Sequence, residues 1–244
     1  MIHDTFNAVL FQPLYNALVF ISGVVPGHSV ALAIIVLTVI IRFLLLPLYH
    51  QSAHAQRKLK EIDPQLKKIK SDFKDNKEEQ AKMIMALYRE HGINPLTGFM
   101  LLLIQLPVIL ALFYVFSKGF QLNLDILYPF VHSPDIVNNS IFGFGLITDK
   151  NYFLALLVGL TQFFQIKLTL PPLEPKDLSG ENSLQADFAR SMNLQMRFVM
   201  PVIITVISSQ FPAAVGIYWL TGNLFGIAHE LFVRQKAKLI LKNN

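Results

Sequence analysis

Residues 30–49 read VALAIIVLTVIIRFLLLPLY, and their length decides the class of fold. A helix of about 20 residues rises about 30 Å, the thickness of a bilayer's hydrocarbon core. The only charge in the stretch is Arg42. Four further blocks lie beyond it. They are FMLLLIQLPVILALFYVFS (Phe99–Ser117), YFLALLVGLTQFFQIKLTL (Tyr152–Leu170), MNLQMRFVMPVIITVISSQ (Met192–Gln210) and AAVGIYWLTGNLFGIAHELFV (Ala213–Val233). Phe211 and Pro212 alone join the last two, so they form a tight hairpin. Without water to satisfy backbone groups, such spans fold as helices.

The composition agrees. Of 244 residues, 53% are apolar and 15% charged, with 20 Phe and no Cys; an ordinary soluble domain carries about 25% charge. Disorder, a nucleic-acid arm and a disulfide-stapled secreted domain are thereby excluded, and the composition argues against an ordinary soluble enzyme. The chain reads as an all-α polytopic membrane protein of five transmembrane helices, with a cytoplasmic antiparallel helical hairpin and an N-terminal interfacial helix. The predicted segments are 1–28 (outer, with the interfacial helix), 29–49 (first span), 50–94 (hairpin), 95–118 (second span) and 119–150 (outer loop). They continue with 151–170 (third span), 171–191 (cytoplasmic loop), 192–211 and 213–233 (fourth and fifth spans) and 234–244 (basic tail).

Lys and Arg orient the chain. His50–Asn94 carries ten of them and the first 41 residues none, while the outer loop has only Lys118 and Lys150. Arg234, Lys236, Lys238 and Lys242 follow the last span. The positive-inside rule places the N-terminus outside and the C-terminus in the cytoplasm. The net charge of +5 is thus mostly a topology signal. Met1–Phe20 lacks the basic start of a cleavable signal, so none is expected. Phe6–Ile21 is apolar but interrupted by Asn7, Gln12, Pro13 and Asn16, which suits a helix lying in the outer interface.

Between the first two spans the composition changes abruptly. Leu59, Ile62, Leu66, Ile69 and Phe73 repeat with 3-4-3-4 spacing among charged residues. Asp75-Asn76-Lys77 reads as a turn, and a second helix runs from about Glu78 to His91, ending at Gly92. Asp63 is expected to cap a re-initiated helix, with Pro64 at its first position.

Polar residues inside the spans are the functional clue. Arg in a helix centre costs about 2.5–3.5 kcal/mol on insertion scales, so Arg42 should face protein or water. Thr38 lies one turn before it. Gln105, Thr161, Gln162, Gln165, Trp219, Thr221 and Asn223 add polar groups in other spans. Singly, such residues glue helices together; collectively they suggest a wet internal surface around one positive charge. No Asp or Glu lies deep in a span, which argues against an ion pump or proton relay. His50 and His54 have metal-pair spacing but no clear third ligand, so no metal site is expected. Gly222 and Gly226 form a GxxxG, a weak packing signal.

IRFLLLPL, EIDPQLKKIK, ALYREHGINPLTGFMLLLIQLP and FPAAVGIYWLTGNLFGIAHELFVRQ resemble, in order and spacing, the YidC-type membrane protein insertases. That resemblance covers almost the whole chain. It implies a five-helix core, an intramembrane arginine in a hydrophilic groove open to cytoplasm and lipid, and a helical hairpin that recruits factors. Arg42 matches the groove arginine, and Thr38, Gln162 and Trp219 match groove-lining positions. Gln105, Gln165 and Asn223 join the candidate groove. Lys58, Lys60, Asp63, Pro64, Lys67, Lys68 and Arg89 form the candidate recruitment surface. The large periplasmic domain of Gram-negative members and the lipoprotein cysteine of many Gram-positive members are not found. The implied partners are nascent membrane proteins, the ribosome or targeting factors, the Sec translocon and the lipid bilayer. The implied location is the bacterial plasma (inner) membrane. No cofactor and no enzymatic bond-making are expected. The competing reading is a small transporter or anion channel with Arg42 as its binding site; the inverted repeats expected of a transporter are not visible.

Overall fold

The computed structural model describes residues 5–93, 97–117, 124–132, 134, 136–170, 191 and 193–242. Among these the regular structure is helical, with no strand and two isolated bridges, Ser29 to Asn138 and Ser140 to Leu146. The chain divides into two units, Met1–Arg42 with Ile109–Asn244, and Phe43–Val108. The predicted loop 171–191, except Ser191, and the side chain of Lys60 lie outside the described residues.

In the first unit, α1 is Asn7–Val24, 18 residues with mean hydropathy 1.3. That is long and apolar enough to cross a membrane, a property the interfacial expectation did not include. Its first turn, Asn7–Phe11, is a π-turn in which Gln12 N–H reaches the carbonyl of Asn7. Gln195–Val199 repeats the arrangement ahead of α8 (Met200–Gln210), with Met200 N–H on Gln195. A proline, Pro13 or Pro201, stands two residues beyond the end of each π-turn. A proline ring clashes with the carbonyl four residues back and cannot donate to it, so the turn widens.

The polar residues that interrupt α1 have partners. Asn16, 2% exposed, donates to the Ile126 carbonyl at 2.9 Å and accepts from Tyr128 N–H at 2.6 Å. Gln12 also donates to Ile126. These bonds fix the turn at 126–128 to the helix. Farther along, Val30 N–H bonds the Asn138 carbonyl, and Asn138 N–H bonds that of His28. Ala213 and Ala214 N–H bond Asp149 and Ile147 carbonyls. Loop residues therefore satisfy the otherwise orphaned amides that open α9 (Ala213–Lys242). Ile147 is fully buried beneath this loop.

α2 is Val30–Leu44, and Ser29 Oγ accepts from Leu32 N–H at its start. α7 is Tyr152–Thr169, capped by Asn151 Oδ1, which accepts from Leu154 N–H. It packs against both α8 and α9. Without a hydrophobic drive between helices in lipid, close approach and polar bonds hold such contacts. Gly159 and Gly216 allow that approach: a Cβ on Gly159 would crowd Thr205 and the Pro201 carbonyl, and one on Gly216 would meet Leu154. α7 is long and apolar enough to cross a membrane, whereas α2 is a shorter apolar helix. α9 runs helically to Lys242.

In the second unit, α3 is Leu46–Glu61, α4 Asp63–Asp72 and α5 Lys77–Glu90. The predicted first span to Tyr49 is thus interrupted at Leu45, and α3 passes through the predicted boundary at 49/50. Pro47 explains the break, since it cannot donate to the carbonyl of Phe43. Ile62, Leu66, Leu87 and Ile93 form a core, with Leu59, Ile69, Ile84 and Tyr88 packed on it.

Two polar side chains and a glycine close the helix ends here. Asn76 accepts from Glu79 N–H at the start of α5. Gln80, 4% exposed, donates to the Lys70 carbonyl at the end of α4. Gly92, at φ 60°, ends α5: its N–H bonds Arg89, and Ile93 N–H bonds Tyr88 at 2.8 Å. This is a Schellman motif, in which a residue without Cβ takes the left-handed position. The capping expectation for α4 is corrected by one residue. Ile62 is the N-cap, and Asp63 and Pro64 are the first two helical residues. Ile62 N–H still bonds the Lys58 carbonyl, so α3 persists up to it and the cap falls there. Asp63 instead pairs with Lys67 at 2.9 Å.

α6, Thr97–Ser117, is 21 residues long, with Pro107 inside it. Its C-terminal part packs through Phe113 onto Phe211, ring centroids 5.0 Å apart.

Candidate functional site

Arg42 lies in the last turn of α2 and is 6% exposed. Thr38, one turn earlier and fully buried, donates its hydroxyl to the Ile34 carbonyl at 2.6 Å. That bond removes its side chain as an unsatisfied donor without needing water. The guanidinium lies against Gly222 of α9. A Cβ there would come within 3.0 Å of Arg42 Cζ and Nε, and closer still to Nη2. One turn along α9, a Cβ on Gly226 would come within 3.0 Å of Gln165 Cδ on α7 and closer to its amide nitrogen.

Trp219 is half-buried, three residues before Gly222 and on the same helical face. Gln162, also half-buried, lies three residues before Gln165 on α7. The first unit therefore brings Arg42 against Gly222 and Gln165 against Gly226. Asn223 has a different situation. It is 3% exposed and donates to both the Val158 carbonyl and the Thr161 hydroxyl of α7, at 3.2 Å each. Bonds of this kind between membrane helices contribute about 0.6 kcal/mol on average. Gln105 is half-buried on α6 and belongs to the 43–108 unit.

Among the candidate recruitment residues, Pro64, Lys67, Lys68 and Arg89 are exposed. Lys58 is half-buried, its ammonium donating to the His91 carbonyl at 2.9 Å. It supplies positive charge at the C-terminal end of α5, where the helix dipole favours it. Arg234 does likewise for α7, bonding Leu168 O while pairing with Glu230 at 2.8 Å. Sequence reasoning assigned Arg234 to a separate basic tail.

The residues that sequence reasoning missed are the two glycines. Their GxxxG spacing was the available signal, but spacing alone suggests helix against helix, not two polar side chains entering the gaps.

Residues 20–240 match the family described as 60Kd inner membrane protein. A relative named membrane protein insertase YidC, from Clostridium tetani, is 34% identical over 220 residues, covering 88% of this chain and 87% of that protein. Proteins of the same name from Chloroherpeton thalassium and Pelobacter propionicus are 31% and 28% identical over 94% and 93% of this chain. The chain spans only 36% and 39% of the length of those two relatives. With most of its length matched, and a relative of similar extent above 30% identity, the chain belongs to the 60Kd inner membrane protein family, which includes the YidC insertases.

Proposed function

We propose that this protein inserts other proteins into the bacterial plasma membrane and assists their folding there. The observation that carries the reading is Arg42, a charge buried in a predicted span of a chain whose relatives bear the insertase name. A cation in that position needs protein or water around it, and intramembrane ionisable residues mark functional paths. Arg42, with Gln162, Gln165 and Trp219, lines a groove that is open to the cytoplasm and to lipid, and Thr38 packs one turn behind the arginine. Its charge attracts the polar or acidic segment of an incoming chain in a region of low dielectric, where attraction is stronger than in bulk water. The client's apolar segment then leaves into lipid, and burial of that surface drives insertion. No covalent bond is made, so the protein is not an enzyme.

The outer face supports a path closed on that side. Asn16 holds the 126–128 turn, and Asp149 and Ile147 seal the start of α9. In this reading the N-terminus is outside, five spans cross, and the basic α3–α5 region faces the cytoplasm. There, exposed Lys67, Lys68 and Arg89 meet the ribosome or targeting factors, with the Sec translocon as a further partner.

Depletion tests the reading. Cells lacking the protein should accumulate uninserted short membrane proteins, such as an ATP synthase subunit, and the restored gene should reverse this. Normal insertion in depleted cells would contradict it.

A further inference from the structure

The two glycines of the GxxxG have a use that helix packing does not explain. At Gly159 and Gly216, an added Cβ meets neutral groups that pack one helix on another: the Thr205 side chain and Pro201 carbonyl, or Leu154. At Gly222 and Gly226 it meets the polar ends of two long side chains instead. Three atoms of the Arg42 guanidinium group, Nη2, Cζ and Nε, surround the missing Cβ of Gly222. Nε2 and Cδ of Gln165 surround that of Gly226. The residues are four apart, hence neighbours on one face of α9.

We infer that Gly222 and Gly226 are positioning residues that set where the Arg42 guanidinium and the Gln165 amide stand in the proposed groove. A methyl at 222 occupies space now held by the end of a flexible side chain, not by backbone. The helices can therefore keep their places while the guanidinium is displaced. A methyl is also the better helix former, so α9 itself is not weakened by the change. Moving a charge by a few ångströms in a low-dielectric region alters its interaction with a client strongly, because the Coulomb energy there is not damped by bulk water. The same displacement alters an uncharged client's path much less.

The inference rests on the proposed insertase role only for its consequence, so the experiment has two arms. The first reads the arginine side chain itself. The chain contains six arginines, at 42, 57, 89, 190, 197 and 234, so Nε-labelled protein in lipid nanodiscs gives a spectrum sparse enough to assign, with Arg42→Lys identifying the Arg42 signal. Gly222→Ala should move that signal, and Gly226→Ala should leave it in place. An Arg42 signal unchanged by Gly222→Ala, or moved equally by Gly226→Ala, would overturn the cradle.

The second arm measures insertion of two clients that differ only in an acidic or neutral translocated segment. Gly222→Ala should lower insertion of the acidic client about threefold or more, at unchanged abundance, with little effect on the neutral one. Arg42→Ala/Gly222→Ala should be no worse than Arg42→Ala, because the methyl then has no guanidinium to displace. Additive losses would overturn the positioning role. If Arg42→Ala itself shows no dependence on client charge, the insertase mechanism fails, while the spectral arm still decides the cradle.

Discussion

Lys58 donates its ammonium to the carbonyl of His91 at 2.9 Å, across 33 residues of sequence. The bond ties the end of α5 to α3 and stands beside Gly92, whose absent Cβ would lie 3.8 Å from the lysine nitrogen. A basic residue that sequence alone suggests as a recruiting charge thus has a structural partner. Lys58→Met keeps the aliphatic stem and removes the donor. Its expected cost is about 1 kcal/mol, the usual net value of one such bond. Amide exchange at Ile93, whose N–H bonds Tyr88, should accelerate about fivefold. Protection at Ile93 equal to that of the unaltered protein would refute the role of Lys58 as a cap.

Tyr88 makes the same region sensitive to alkali. Burial pushes its phenol above the ordinary value of about 10, because the charged form is disfavoured away from water. A group whose folded-state value is raised stabilises the fold fully below its unfolded value, and that contribution is lost as pH rises through the folded value. The melting temperature should fall more steeply above about pH 10 in the unaltered protein than in Tyr88→Phe. Parallel curves would show that the phenol is not the cause.

Asn16 satisfies both a carbonyl and an amide of the 126–128 turn, whereas Gln12 reaches only the Ile126 carbonyl. Asn16→Leu would leave the Tyr128 amide without its partner, at a cost of about 2 kcal/mol. Thermal unfolding should therefore occur several degrees lower in Asn16→Leu than in Gln12→Leu. Equal shifts would mean that the asparagine is not what holds the turn.

Because the chain lacks cysteine, single cysteines report topology cleanly. Phe144→Cys lies in the predicted outer loop, where the native residue is 75% exposed. It should react with an impermeant thiol reagent on intact cells. Asn76→Cys, at the start of α5, should react only after the membrane is opened. Labelling of position 76 from outside would reverse the assigned orientation.

Much of this was legible because its causes are local. The turn at Asn76 precedes the second hairpin helix, Gly92 ends it, and apolar length marks Tyr152–Thr169. What escaped depends on where distant parts of the chain meet. Asn16 looks like an interruption of an apolar helix until the 126–128 turn is brought against it. The acceptors of Asn223, Val158 and Thr161, are likewise brought to it only by the fold. The break at Leu45 had a local signal in Pro47, but the apolar run on either side outweighed it. Gly222 carried the right motif with the wrong neighbour in mind, since only the fold places Arg42 beside it.

The central claim is that the buried charge of Arg42 acts on the client. Its direct measurement is insertion efficiency for a matched pair of clients, one with Asp or Glu in the translocated segment and one with neutral residues there, in Arg42→Ala, Arg42→Lys and Arg42→Glu. The account predicts that Arg42→Ala impairs the acidic client about tenfold more than the neutral one, which corresponds to about 1.4 kcal/mol of lost attraction. Arg42→Lys should retain most activity, since it keeps the charge without the planar fork. Arg42→Glu should be worst for the acidic client, where attraction becomes repulsion. Equal losses for both clients in Arg42→Ala, at unchanged protein abundance, would contradict the account.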